Sequence, residues 1–245
     1  MASTTHACLI LLLRSWALTV PASLACGQFL PPLQAEAPEE YDAYLDLIEA
    51  TAPQALIHSA RRFEQSWPKS SLLAHVRQLQ FEAYTKLGRL GDAIQTAGQA
   101  LTLTPDNHMV RAGLAVILAN EARTPQQLEG AGREARTTLE RLNAFVPPKS
   151  LPYPRWEQAA RRVRGQAHSA LGLVAFKRDR MDEALHEFET SVAFSPDPPA
   201  QYRLGRLYRL LGRVEQAQKS LAAAAAGDDS TIADLARQEL REMTR

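Results

Sequence analysis

Residues 171–188 read LGLVAFKRDRMDEALHEF, and residues 204–221 read LGRLYRLLGRVEQAQKSL. The two segments share a Leu-Gly pair, a later alanine and a large apolar residue in one register, with a shift of 33 residues. Self-similarity at this period is typical of helical hairpins that stack side by side. Such arrays bury a continuous core between neighbouring hairpins and usually bind other proteins. The repeat therefore predicts an all-α fold with a binding role.

A third, looser copy of the pattern lies upstream, because Tyr84, Gly88 and Ala93 match residues of the last copy at a common offset of 124. Gly88 falls in a predicted turn, where a left-handed backbone is cheap only for glycine. Small residues are expected where two helices cross closely, and aromatic residues where hairpins pack together. The residues that we assign to the repeat pattern are Tyr84, Gly88, Ala93, Pro105, Leu171, Gly172, Ala184, Phe188, Pro196, Leu204, Gly205, Tyr208, Gly212 and Ala217.

These residues resemble the tetratricopeptide repeat, a helix-turn-helix unit of about 34 residues. The resemblance covers most of residues 38–227 and is strongest after residue 165. It implies a right-handed α-solenoid of helical hairpins with a C-terminal capping helix, in which the first helix of each hairpin lines a concave groove. The chain departs from the pattern at Gln80-Phe81, where Leu-Gly is expected. The unit from His108 also departs from it, by about eight extra residues near its turn.

The organisation of the chain is expected to change at two proline-containing stretches. About eleven helices and no strand are predicted, because apolar residues recur at helical spacing from Glu39 onward. The predicted segments are a signal peptide at 1–27, an extended lead-in at 28–37, degenerate helical repeats at 38–144, a proline-rich break at 145–156, and repeats with a polar capping helix at 157–245.

The N-terminus carries a targeting pattern. Residues 8–25 are apolar apart from small polar residues and Arg14, which is typical of a secretory signal. Cleavage is expected before Gln28 or, at a second site, before Cys26. The first cleavage would remove Cys8 and Cys26, the 2 cysteines of the chain. A lipoprotein carrying its lipid on Cys26 and an uncleaved anchor are the alternatives. We therefore expect an exported protein, periplasmic or secreted.

The composition and the motifs do not indicate nucleic-acid binding, catalysis, a metal site or a cofactor site. A net charge of +1, with 45% hydrophobic and 22% charged residues, argues against a dedicated nucleic-acid binder. The 6 histidines form no metal-ligand pair at helical spacing, and no catalytic motif occurs. Residues 130–135 match the G-x-G-x-x-A dinucleotide fingerprint, but no strand is predicted before them, and we interpret them as helical. No cofactor, metal ion or catalytic residue is therefore expected, and the protein is predicted not to be an enzyme.

The family resemblance gives a candidate binding surface on the first helices of the hairpins. The residues expected to face a partner are Gln78, Glu82, Phe176, Lys177, Tyr202, Arg206 and Arg209. Arg206 and Arg209 belong to a basic ridge with Arg203 and Arg213, which is either a solvated, ion-paired face or a stripe that grips an acidic peptide. Replacing Arg206 and Arg209 by glutamate is expected to abolish partner capture with a nearly unchanged melting temperature. The break at 145–156 is a second candidate, as a spacer or as a recognised extended segment.

Together these features predict a non-catalytic protein-interaction scaffold or adaptor of the bacterial cell envelope, which docks a peptide or a partner helix in its groove. One alternative is a structural subunit of a larger envelope complex. Another is an envelope protein that binds a small ligand or glycan, or hydrolyses one, through residues 145–156. No nucleic-acid partner is expected. Membrane contact is expected only through a lipidated Cys26 or an uncleaved N-terminus.

Overall fold

A computed structural model describes residues 18–19, 34–147 and 153–243. Eleven helices occupy this part of the chain, which confirms the predicted all-α fold. The helices are α1 (Pro38–Glu49), α2 (Pro53–Ser66), α3 (Leu73–Lys86), α4 (Leu90–Leu103), α5 (His108–Glu121), α6 (Pro125–Ala144), α7 (Tyr153–Lys177), α8 (Met181–Phe194), α9 (Pro198–Leu210), α10 (Val214–Ala225) and α11 (Ser230–Met243).

One short strand pair accompanies the helices, although no strand was predicted. Leu18–Thr19 (β1) pairs antiparallel with Gln34–Ala35 (β2), inside the expected extended lead-in. The rest of the predicted signal peptide at 1–27 lies outside the described residues. None of the helices in the described part of the chain combines the length and the apolar character needed to cross a bilayer.

The chain divides into two compact units, an N-terminal unit that ends at Thr104 and a C-terminal unit from Pro105 onward. This boundary lies well before the proline-rich segment that was expected to interrupt the array. Helices α5, α6 and α7 pack against one another, so both flanks of that segment belong to the C-terminal unit. Phe145 and Trp156 stack there, with ring centroids 5.2 Å apart. The proline-rich segment therefore connects helices of one unit.

Local sequence explains where several helices begin. Proline opens α1, α2, α6 and α9, at a position where the missing N–H would have no partner in the helix. Thr124 and Gln127 form a capping box at the start of α6. The cap of α5 is Asn107, whose side chain accepts a hydrogen bond from the Val110 N–H at 3.2 Å.

The turns inside three hairpins share one backbone conformation. Gly88 and Gly212 have φ of +67° and +71°, as a left-handed turn requires. Asp179, 33 residues before Gly212, takes the same region with φ of 60°. The expected left-handed turn at Gly88 is confirmed. The same left-handed turn therefore occurs one repeat earlier at Asp179, which, unlike glycine, has a side chain.

Close helix crossings follow the glycines of the repeat. A Cβ atom at Gly172 would lie 2.5 Å from Phe188 Cδ1, and a Cβ atom at Gly205 would lie 2.8 Å from Leu221 Cγ. Ala184 and Ala217 are fully buried. Tyr208 bridges hairpins, because its hydroxyl donates to Glu189 Oε1 at 2.7 Å. The small residues therefore allow close crossing within a hairpin, where Phe188 packs on Gly172. Tyr208 contacts the preceding hairpin.

Enlarging Ala217 to leucine is expected to lower the free energy of unfolding by about 1–3 kcal/mol, because the added carbons have no space at the crossing. Ala217 is fully buried in the core of the C-terminal unit. Ala222→Leu is the matched control, because Ala222 is exposed on the same helix α10. Chemical denaturation of both variants measures the difference. Equal stability of the two variants would show that the crossing is not tightly packed.

Candidate functional site

One groove of the C-terminal unit is formed largely by alternate helices, α5, α7, α9 and α11. We call it the α9 groove, because α9 supplies most of its wall. Its volume is about 230 Å³. The residues that line it are Asn120, Leu173, Phe176, Phe188, Pro199, Tyr202, Arg203, Arg206, Leu207, Leu210 and Ile232. The lining is mostly apolar, with two arginines and no carboxylate.

Helical spacing explains why α9 dominates this groove. Its six lining residues follow one another at intervals of three and one positions between Pro199 and Leu210, so they share one face of the helix. The opposite side of α9 packs into the hairpin, where Leu204 and Gly205 are buried. Leu210 is 62% exposed although it is apolar. The groove therefore offers an apolar contact that nothing in the described chain covers.

A carboxylate clamp adjoins the α9 groove. It consists of Tyr202, Arg206 and Arg209, which converge on the carboxylate of Glu239 in α11. Arg206 Nε lies 3.1 Å from Glu239 Oε1, and Arg209 forms an ion pair with Glu239 Oε2. Arg209 also pairs with Glu242 at 3.1 Å. The chain thus places two glutamates of its own α11 on the basic ridge.

Tyr202 is the third member of this clamp. Its hydroxyl lies close enough to Arg206 and Glu239 for both to act on its protonation. Burial raises the pKa of Tyr202, Arg206 opposes that shift, and Glu239 adds to it. The Arg206 guanidinium also lies 5.8 Å from the centre of the Tyr202 ring. The phenol therefore stays protonated near neutral pH and can donate to a carboxylate.

The remaining arginines of the ridge have separate roles. Arg203 lines the groove and donates from Nη1 to Ser169 Oγ at 3.1 Å. Burial lowers the pKa of Arg203, with Asp197 opposing the shift. Arg213 is exposed beyond the end of α9. Arg206 lines the groove and is ion-paired with Glu239, so part of the ridge is an ion-paired face. Binding of an acidic peptide by the ridge stays a prediction.

The structure corrects the expectation that glutamates at positions 206 and 209 would leave the melting temperature nearly unchanged. Glutamates at both positions would face Glu239 and Glu242, whose carboxylates now pair with the arginines. The reversal would therefore repel α11 from α9. A loss of partner capture in that variant would not separate binding from stability.

The other predicted binding residues do not all face a ligand. Phe176 lines the α9 groove. Lys177 donates to the backbone oxygens of Asn120 and Ala122, the latter at 3.1 Å, and burial lowers its pKa. Gln78 is only 1% exposed and donates to Glu82 at 3.1 Å, so the expectation that Gln78 faces a ligand is wrong.

These residues also fall into different units. Gln78 and Glu82 belong to the N-terminal unit, and the other five belong to the C-terminal unit. The structure therefore brings together Phe176, Tyr202 and Arg206 at the α9 groove, with Arg209 beside them in the clamp.

The sequence did not single out Glu239, Glu242 or Ile232 as site residues. A usable signal was present, because the glutamates are three residues apart, as are Arg206 and Arg209. Such spacings place each pair on one helix face. Helix α11 was expected to be a polar capping helix, so the pairing of its glutamates with the arginines of α9 was not predicted.

Catalytic and cofactor chemistry finds no support in this geometry. The described ranges contain no cluster of three or more His, Cys, Asp or Glu residues that could hold a metal ion. Gly130–Ala135 lies inside α6, whereas a dinucleotide site needs a strand that leads into a helix. The groove and the clamp are suited to binding.

Comparison with known proteins identifies the repeat. Residues 198–226, which contain α9 and α10, match the family model described as tetratricopeptide repeat. The chain carries a tetratricopeptide repeat. Proteins of this kind are generally non-catalytic interaction scaffolds. No curated protein matches the sequence.

Solved structures extend the tetratricopeptide fold over most of the chain. The similar structures include TTC0263, a thermophilic tetratricopeptide protein from Thermus thermophilus, at 19% identity and a TM-score of 0.53; the match covers 82% of this chain and 98% of that one. MamA 41-end from Desulfovibrio magneticus RS-1 matches at 12% identity and a TM-score of 0.50, over 83% and 98% of the two chains. At these identities the likeness establishes the fold, a tetratricopeptide solenoid.

Proposed function

We propose that this tetratricopeptide protein is a non-catalytic scaffold or adaptor that docks a peptide or a partner helix in the α9 groove. The observation that carries the proposal is an apolar groove with two arginines and an uncovered leucine. Small-molecule and cofactor sites usually enclose about 300–1,000 Å³. The α9 groove, at about 230 Å³, is better matched to one or two side chains of a protein partner.

The proposal includes an exported protein that works in the cell envelope. Its support is the N-terminal sequence, an apolar stretch followed by small residues. Mass spectrometry of the N-terminus, on protein isolated from the cells that produce it, tests this part. A start at Gln28 supports a cleaved signal, a lipidated Cys26 supports the lipoprotein, and an intact Met1 would contradict cleavage.

Replacing Leu210 by glutamate is expected to weaken partner capture at least about ten-fold, because a charge would enter the apolar lining of the groove. Leu210 is 62% exposed, so the fold loses little packing. Val214→Glu is the matched control, since Val214 is 53% exposed on α10 and does not line the groove.

The measurement is quantitative cross-linking and affinity capture from the envelope fraction, with circular dichroism of each variant. A partner that is lost with L210E and kept with V214E supports the α9 groove. A partner captured equally by both variants would show that binding occurs elsewhere.

A further inference from the structure

We propose that the partner of the α9 groove is an acidic amphipathic helix, whose carboxylate replaces Glu239 in the clamp of Tyr202, Arg206 and Arg209. Helix α11 is then an internal competitor for that clamp. The inference rests on the proposed function and adds the chemistry of the partner.

The first support is the charge of the clamp. Both guanidinium groups pair with Glu239, Arg209 also pairs with Glu242, and Glu239 itself is only 15% exposed. Arg206 and Arg209 keep 55% and 38% of their side-chain surface exposed, so an incoming acidic group can reach both. Arginine forks bind carboxylates more strongly than neutral acceptors. The clamp is therefore chemically matched to an acidic ligand.

The second support is the pattern of residues that α11 itself presents. Ile232 lines the α9 groove, and Glu239 follows it by seven residues, or two helical turns. The two positions are about 10 Å apart along a helix axis. Glu242 follows one turn later and pairs with Arg209. A partner helix that fits the same surface would carry a large apolar residue with acidic residues seven and ten positions after it.

The third support is the shallow docking of α11. Only Ala233 and Ala236 of this helix are buried, whereas α9 buries Ala200, Leu204, Gly205, Leu207 and Tyr208. The small core beneath α11 contains Leu221 and Ala224 of α10, with Ile232, Leu240 and Met243 only partly buried. A helix with larger apolar side chains can therefore compete for this surface.

The test uses the full-length protein and a fluorescently labelled synthetic peptide with the sequence of residues 229–243. Replacing Glu239 and Glu242 by glutamine in the protein weakens the internal competitor while Tyr202, Arg206 and Arg209 stay intact. Peptide affinity, measured by fluorescence anisotropy, is expected to rise about ten-fold in E239Q/E242Q. Asp234→Asn is the matched control, because Asp234 pairs with Arg237 on α11 itself, away from the clamp.

A peptide with glutamine at the positions of Glu239 and Glu242 is expected to bind E239Q/E242Q about ten-fold more weakly than the acidic peptide. Equal binding of the two peptides, or an unchanged affinity in E239Q/E242Q, would overturn the inference. So would a stable dimer of the unmodified protein that disperses in E239Q/E242Q, because a second copy would then occupy the clamp. If L210E still loses its envelope partner in any of these cases, the proposed function stands and only the acidic-helix inference fails.

Discussion

Replacing Phe188 by alanine is expected to lower the free energy of unfolding by about 3–5 kcal/mol. Phe188 is buried in the core of the C-terminal unit, and its ring occupies the space left by the missing Cβ of Gly172. Removal of the ring therefore leaves a cavity between α7 and α8. Gly172 has no side chain that could move into it. Chemical denaturation, followed by circular dichroism, measures the loss.

Phe194→Ala is the matched control for this variant. Phe194 lies at the end of the same helix, partly exposed, with its ring stacked on His168 and beneath Arg161 and Arg164. The same chemical change there should cost much less. Gly172→Ala supplies a second check, because its methyl group overlaps the Phe188 ring and should be tolerated better once that ring is absent. Additive effects of F188A and G172A would contradict the close crossing.

Acidification from pH 7 to pH 5 is expected to destabilise the N-terminal unit by about 2 kcal/mol through His75 alone. Burial lowers the pKa of His75 from 6.5 to about 4. The unfolded chain therefore takes up a proton near pH 6.5, while folded His75 stays neutral until about pH 4. Stability falls across this window as the pH decreases and levels off below it. Denaturation curves at several pH values measure the slope.

The surroundings of His75 explain its resistance to protonation. The residue is 1% exposed, Tyr44 Oη lies 2.5 Å from its Nδ1, and Nε2 has no hydrogen-bond partner among the described residues. Burial would therefore penalise a charged imidazole, whose Nε2–H would have no acceptor. His75→Gln should flatten the pH dependence between pH 7 and pH 5, whereas His58→Gln, at an exposed position, should leave it unchanged. A steep dependence that survives in H75Q would assign the acid sensitivity to another group.

Local rules predicted much of the fold. The Leu-Gly pairs and the alanines of the repeat specify close crossings, and each such contact joins helices adjacent in sequence. The all-α fold and the turn at Gly88 follow from spacing and backbone preference. The burial of Gln78 did not follow, because α3 is covered on several sides and buries Gln78 and Gln80 along with its apolar residues. The family resemblance assumes that the first helix of each hairpin exposes one face to a ligand, and this assumption fails for α3.

The clamp could not be predicted from the spacing of residues within single helices. Arg209 and Glu239 are thirty residues apart, and no spacing within either helix shows that they meet. Their pairing depends on the angle at which α11 returns over α9 and α10 after Gly227. At that turn a Cβ atom would lie 2.2 Å from Pro198 Cγ. The sequence could therefore predict a basic ridge but not the glutamates of α11 that pair with it.

The small buried surface of α11 has a quantitative consequence for recognition. A ligand that needs the clamp binds only the fraction of molecules in which α11 has opened, so its apparent dissociation constant is the intrinsic constant divided by that fraction. Helices with few buried apolar contacts open more readily than well-packed ones. Both buried positions of α11 are alanines, so the helix buries little side-chain surface. The fraction of molecules in which α11 is open would then set the apparent affinity for such a ligand. Residues 233 and 236 could therefore tune partner affinity without touching the partner.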